Sequence, residues 1–214
     1  MTSPGAPGGS SLDERVLALV EAAHRAEPWS LGVTSLALSR RLEIAEPLLL
    51  ADLARLVLDG RLERRFGYYA APAHAVALTA EQLSFFERLL PNDGDATPSP
   101  VAYAVLSSAV RSGSVDGVSK AFDTLLATGA LVRVGDDCYR GSQLAAIRRR
   151  VDAHFRNRER LTVAEFRDLA GTTRKHAVPL LEWFDARGVT RRDGIDRTRG
   201  DAPISDAPAS QSPR

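Results

Sequence analysis

The chain has 214 residues, 44% hydrophobic and 26% charged, with a formal net charge of +1. That balance excludes a disordered polyelectrolyte and suits a soluble globular protein of roughly one to three domains. A single cysteine, Cys138, excludes an intramolecular disulfide and fits a reducing, cytoplasmic compartment. No apolar run approaches a membrane span, and the opening MTSPGAPGGSS has neither the basic nor the apolar region of a signal peptide. Residues 1–11 and the Ala-, Pro- and Ser-rich stretch 201–214 are expected to be flexible tails.

From Leu12 to about His24, the positions Leu12, Val16, Leu19, Val20 and Ala23 trace one helix face, which Glu27-Pro28 ends. A second helix is expected from Thr34 to Leu42, with Leu36, Ala37 and Leu42 inward, and a third from Ala45 to Asp59, closed by Gly60. RLERRFGYY then alternates around Gly67 as a hairpin does. The pattern returns from Thr79, which with Gln82 makes a capping box for a helix through Leu90, with Leu83, Phe86 and Leu90 inward. PNDGDATPSP reads as a loop and Pro100 as the first turn of a helix through Arg111. Val118 to Thr128 makes the next helix, closed by Gly129. LVRVGDDCY forms a hairpin with its turn at Gly135-Asp136-Asp137.

The last stretch begins with the apolar face Leu144, Ile147, Val151 and Phe155, flanked by Arg148, Arg149 and Arg150. Thr162 and Glu165 form a capping box, Gly171 ends that helix, and Thr172 and Thr173 are placed to cap another. In the latter, Ala177, Leu180, Leu181 and Phe184 form one stripe. Two helices joined by a three-residue turn containing glycine make a helix-turn-helix, whose second helix carries its first side chains, Arg174 and Lys175, outward. Pro179, inside that helix, removes a backbone donor and is expected to bend or loosen its first turns. The Asp193-Gly194 pair between Val189–Arg192 and Ile195–Arg199 signals a hairpin, hence a wing, although its second strand is poor in apolar residues.

Aligning the helix-ending glycines Gly60, Gly129 and Gly188 places Leu53 and Leu56, Phe122 and Leu125, and Leu181 and Phe184 at equal distances before them. Arg64, Arg133 and Arg192 stand four residues after them. Three copies point to a tandem array of one small fold. The expected class is mainly α with short β-hairpins (α+β), an array of winged-helix modules at 12–75, 78–142 and 143–200. Charge is divided unequally among them. Residues 1–142 hold 13 Lys and Arg against 17 Asp and Glu, net −4, whereas residues 143–200 hold 14 against 8, net +6. Clustered cations suit a polyanionic partner, because they release counterions condensed on phosphates; a solvated surface is the plain alternative.

Neither a phosphate-binding loop nor a dinucleotide fingerprint occurs. His24, His74, His154 and His176 are scattered without metal-ligand spacing, and His176 reads as an exposed helix residue. Glu165, Asp168, Glu182 and Asp185 read as solubilising or pairing carboxylates, and Trp29 and Trp183 as packing residues. No catalytic residue, metal or cofactor is therefore expected.

At Arg174–Arg192, RKHAVPLLEWFDARGVTRR, the sequence resembles the last winged-helix module of the bacterial selenocysteine-specific elongation factors, the SelB family; TVAEFRDLAGTT extends the likeness upstream. The preceding modules resemble that family's C-terminal arm at the level of pattern. The resemblance implies an RNA-binding arm that recognises the mRNA hairpin directing selenocysteine insertion. It implicates Arg174 and Lys175 at the helix start and Arg191, Arg192 and Arg197 on the wing. It also implies a monomer working with the ribosome and with a GTPase domain on another chain, since GTP belongs to a family domain missing from this sequence. This chain would then be a fragment, a split product or a stand-alone remnant. Two competing readings are a DNA-binding transcriptional regulator, since winged helices also read duplex DNA, and a protein-interaction scaffold.

Overall fold

The structure is a computed structural model, described here for residues 11–90 and 99–203. The expected tails up to residue 10 and from 204 onward, and the loop at 91–98, lie outside the described residues. The chain divides into two compact units, Met1–Thr79 and Ala80–Arg214.

Unit 1 contains α1 (Leu12–Ala26), β1 (Val33–Thr34), α2 (Ser35–Leu42), α3 (Glu46–Leu58), β2 (Glu63–Arg65) and β3 (Tyr68–Ala70). α1 starts where the Ser11 hydroxyl accepts from the Glu14 amide and the Glu14 carboxylate accepts from the Ser11 amide. The two residues satisfy each other's orphan groups, which sets the helix start. Val16, Val20, Leu38, Leu49, Leu53 and Leu56 are fully buried at the centre of one apolar cluster. Leu36, expected inward, is 46% exposed and Leu38 takes its place, because the helix begins at Ser35 and its buried face follows from that phase.

Unit 2 repeats the element order twice: α4 (Ala80–Leu89), β4 (Val101–Ala102), α5 (Tyr103–Ser112), α6 (Val118–Ala127), β5 (Leu131–Val134) and β6 (Asp137–Arg140), then α7 (Gly141–Phe155), β7 (Arg160–Leu161), α8 (Val163–Ala170), α9 (Arg174–Asp185), β8 (Thr190–Asp193) and β9 (Asp196–Arg199). Each of the three modules has a three-stranded antiparallel sheet of the same topology, β1-β3-β2, β4-β6-β5 and β7-β9-β8. The hairpin's second strand is thus central. Its partner on the far side is a two-residue strand just before the second helix, too short to leave a period in the sequence.

Pro100 precedes β4 rather than opening a helix, and α5 begins at Tyr103. Leu83 is 47% exposed, whereas Gln82 is fully buried, its Nε2 donating to the Asp116 carbonyl at 2.8 Å. Phe85 takes the place of Leu83 on the apolar face beside Phe86 and Leu90, which are buried as expected.

The hairpin turns also differ from expectation. Phe66 and Gly67 both have positive φ, 51° and 83°, as a mirror-image tight turn requires. In the later hairpins the central pairs are Gly135-Asp136 and Gly194-Ile195, where only the glycine has positive φ. Asp137 and Asp193 therefore belong to strands.

The last wing is regular. β9 pairs with both β7 and β8, and the ladder continues as the Gly200 amide donates to Val189 and the Ala202 amide to Gly188 at 2.9 and 2.8 Å. Backbone pairing on both sides holds a strand whose side chains are mostly polar. A Cβ on Gly200 would fall 2.0 Å from the Gly188 carbonyl oxygen, and one on Gly141 2.2 Å from that of Gly129. The same backbone crossing therefore closes both modules of unit 2. At Gly141 the chain passes straight from β6 into α7, and Val132, Val134 and Tyr139 join Leu144, Ile147, Leu161, Phe166, Leu180, Leu181 and Phe184 in one core.

Candidate nucleic-acid interface

The basic helix tip is built locally. α8 starts at Thr162, whose hydroxyl accepts from the Glu165 amide at 3.1 Å while its amide and hydroxyl donate to the Glu165 carboxylate at 2.9 and 2.8 Å. Those bonds hold the Glu165 carboxyl below the ordinary carboxylate range, so it stays ionised. The helix closes at Gly171, and Thr173 sits at the cap of α9, its carbonyl accepting from His176 and Ala177 at 3.1 and 2.9 Å. Contrary to expectation, the Thr173 side chain makes no capping bond. The first amides of α9 have no partner inside the helix, and together with the helix dipole they favour an anion at its tip.

Ala177, Leu180, Leu181 and Phe184 are fully buried, which turns Arg174 and Lys175 to solvent. Among the described residues, neither has an ion-pair partner. Beside them lies a shallow groove lined by Val163, Ala164, Arg167 and Arg174. Arg167 was not singled out from the sequence, and it pairs with Asp168 at 2.6 Å. Pro179 leaves α9 unbroken from Arg174 to Asp185. The amide it lacks would have bonded the Lys175 carbonyl, which lies in the solvent-facing first turn.

His176 is not an exposed helix residue. Its Nδ1–H donates to an Asp137 carboxylate oxygen at 2.8 Å, both side chains being largely buried. Two of the other histidines do meet: the His24 and His74 rings stack at 3.5 Å in unit 1.

On the wing, strand alternation separates the predicted cations. Arg191 and Thr198 face one side; Arg192, Arg197 and Leu161 face the other. Arg191 is exposed but pairs with Asp201. Arg160, on the opposite edge strand β7, pairs with Asp193 at 2.8 Å. Arg192 is exposed, its Nε donating to the Gly194 carbonyl at 3.2 Å, and among the described residues it has no ion-pair partner.

Arg197 departs most from expectation. It is 3% exposed, and its guanidinium donates to Asp185 at 3.2 Å, while the Thr190 hydroxyl donates to the other Asp185 oxygen at 2.5 Å. A central-strand residue on the helix-facing side has no route to solvent, so Arg197 ties the wing to the end of α9 and leaves the set of surface cations. Ile195, at the wing tip, is 84% exposed and was missed, because a lone apolar residue in a turn gives no sequence signal. Of the predicted five, Arg174, Lys175 and Arg192 remain as surface cations without an ion-pair partner among the described residues.

Residues 153–199 match the family described as elongation factor SelB, winged helix. The selenocysteine-specific elongation factor of Desulfomicrobium baculatum is 27% identical over 147 residues, which cover 67% of this chain and 23% of that relative. The chain thus spans about a quarter of the relative's length. Among solved structures, the mRNA-binding domain of E. coli SelB in complex with SECIS RNA is 25% identical, covering 58% of this chain and all of that one at a TM-score of 0.43. Bacterial selenocysteine-specific elongation factor EF-Sec is 15% identical over 88% of this chain and 29% of its own, at a TM-score of 0.48. The last module, basic at the tip of its second helix and closed by a regular wing, thus matches the SelB winged-helix family over residues 153–199, and the chain carrying it is similar over 147 residues to a selenocysteine-specific elongation factor.

Proposed function

We propose that this chain is an RNA-binding arm of the selenocysteine-insertion machinery, gripping a folded mRNA hairpin with its last module. The observation that carries the reading is the tip of α9. There, two exposed cations, Arg174 and Lys175, stand without acidic partners among the described residues over uncapped helix amides, in the segment that matches the SelB winged-helix family. Phosphates suit the amides, and an arginine plane suits phosphate or an unstacked base, the elements by which hairpin loops are held. Arg192 extends the charge onto the wing. In this reading the chain works in the cytoplasm, binds no nucleotide cofactor and catalyses no reaction; GTP and aminoacyl-tRNA belong to a GTPase domain elsewhere.

The test is a fluorescence titration with a selenocysteine-insertion hairpin against a scrambled RNA of equal length and a duplex DNA. Tighter binding of the hairpin is expected, with log affinity falling against log salt at a slope of about −2 to −3, from about three phosphate contacts. Equal affinity for hairpin and scrambled RNA refutes hairpin recognition, and preference for the duplex favours the transcriptional alternative.

A further inference from the structure

We propose that Asp137, on the hairpin of the preceding module, is a positioning residue that holds the first turn of α9 in its binding geometry. The proposal rests on the reading that Arg174 and Lys175 contact the RNA. That first turn lacks two ordinary supports. Thr173 makes no side-chain cap, and Pro179 supplies no amide to the Lys175 carbonyl. A helix start without them frays readily.

The third residue of the turn, His176, donates instead to Asp137 at 2.8 Å, across 39 residues of chain. Asp137 is rigid for a structural reason: it opens the central strand of its sheet, paired with Val134 on one side and Ala102 on the other. Gly135, at the same hairpin's turn, faces Pro179, and a Cβ there would lie 3.7 Å from the proline Cβ. Val132, Val134 and Tyr139 share their core with Leu180 and Leu181. The apolar contacts fix the body of α9, and the Asp137–His176 bond fixes its tip, one and two residues from the exposed cations.

The sign of the effect separates this role from simple electrostatics. Removing a negative charge near an RNA site strengthens binding if charge alone matters; removing a clamp weakens it. Asp137→Ala is expected to weaken hairpin binding about threefold to tenfold, the range for the net worth of one typical intramolecular hydrogen bond. Asp137→Asn, whose side-chain oxygen still accepts from His176, is expected to restore most of the affinity. His176→Ala removes the same bond from the other side and should add nothing to Asp137→Ala in the double variant. Amide hydrogen exchange on the free protein gives an RNA-independent readout: exchange of the amides of residues 176 and 177, which donate to the Thr173 carbonyl, should accelerate in Asp137→Ala and His176→Ala while amides of the α9 body stay protected. Unchanged exchange there, or RNA binding by Asp137→Ala as tight as the parent's, overturns the clamp. Accelerated exchange in a protein that does not distinguish the hairpin from scrambled RNA upholds the clamp and refutes the RNA reading instead.

Discussion

The start of α3 in unit 1 and the start of α9 in unit 2 occupy the same place in the same small fold, yet present opposite chemistry. α3 opens with Glu46, which accepts from the Ser35 hydroxyl at 2.5 Å, and its exposed side carries Leu48, Leu50 and Leu58. α9 opens with Arg174 and Lys175, exposed above free amides. A carboxylate at a helix start takes the place an anion would occupy, so the first tip disfavours an anion where the bare amides and cations of the last favour one. Beneath both surfaces the buried positions agree: Leu53 and Leu56 in α3 are fully buried, as are Leu181 and Phe184 in α9. The fold depends on the inward positions, and what a module binds depends on a few outward ones.

The largest effect should come from the shared positions. Phe184→Ala is expected to remove about 3–5 kcal/mol from unit 2 and Leu53→Ala about 2–5 kcal/mol from unit 1, each leaving the other unit's urea transition in place. A common shift of both transitions would contradict two compact units.

Next, Asp185→Ala leaves the buried Arg197 guanidinium unpaired and should cost about 3 kcal/mol of unit 2 stability in the same denaturation experiment. A neutral result would mean that Arg197 finds solvent and belongs with the surface cations after all.

Charge reversal of the contrasting tip, Arg174→Glu with Lys175→Glu, should weaken hairpin binding on the order of 100-fold and reduce the salt slope by about 2, whereas Glu46→Gln in unit 1 should leave affinity unchanged.

Acid should separate the units. Burial, with His74 and Arg65 nearby, depresses the His24 imidazole from its ordinary 6.5 to about 4. In the fold His24 Nε2 accepts from the Ala71 amide, so protonation favours the unfolded state. Unit 1 should keep its stability above about pH 6.5 and lose on the order of 2 kcal/mol as pH falls from there towards 4. Glu165 in unit 2, depressed below its ordinary 4.5, keeps its contribution above that value and loses it only at lower pH. Urea midpoints at pH 7, 6, 5 and 4 would show whether unit 1 weakens first.

The smallest contrast lies within the wing. Arg192→Ala should weaken RNA binding about tenfold, and Arg191→Ala, whose guanidinium is engaged by Asp201, about threefold or less. Equal losses would mean that the Asp201 pair opens on binding.

What could be read from residues alone was whatever acts within about one turn of helix or one tight turn. The Thr162–Glu165 box, the Ala177–Leu180–Leu181–Phe184 stripe and the helix-ending glycines at 60, 129 and 188 were legible because their partners lie within a few residues, and the threefold repeat followed from them. The outward setting of Arg174 and Lys175 was legible for the same reason, since the stripe fixes which side is inside. The two-residue strands β1, β4 and β7 were not, being shorter than any period. Arg197 is buried only because Asp185 stands twelve residues away across a folded wing, and His176 is held only because β6 delivers Asp137 to it. Charge and hydrogen-bond partners brought together by distant chain leave no periodic trace, so tertiary structure alone decided which predicted arginines face solvent and which one braces the module.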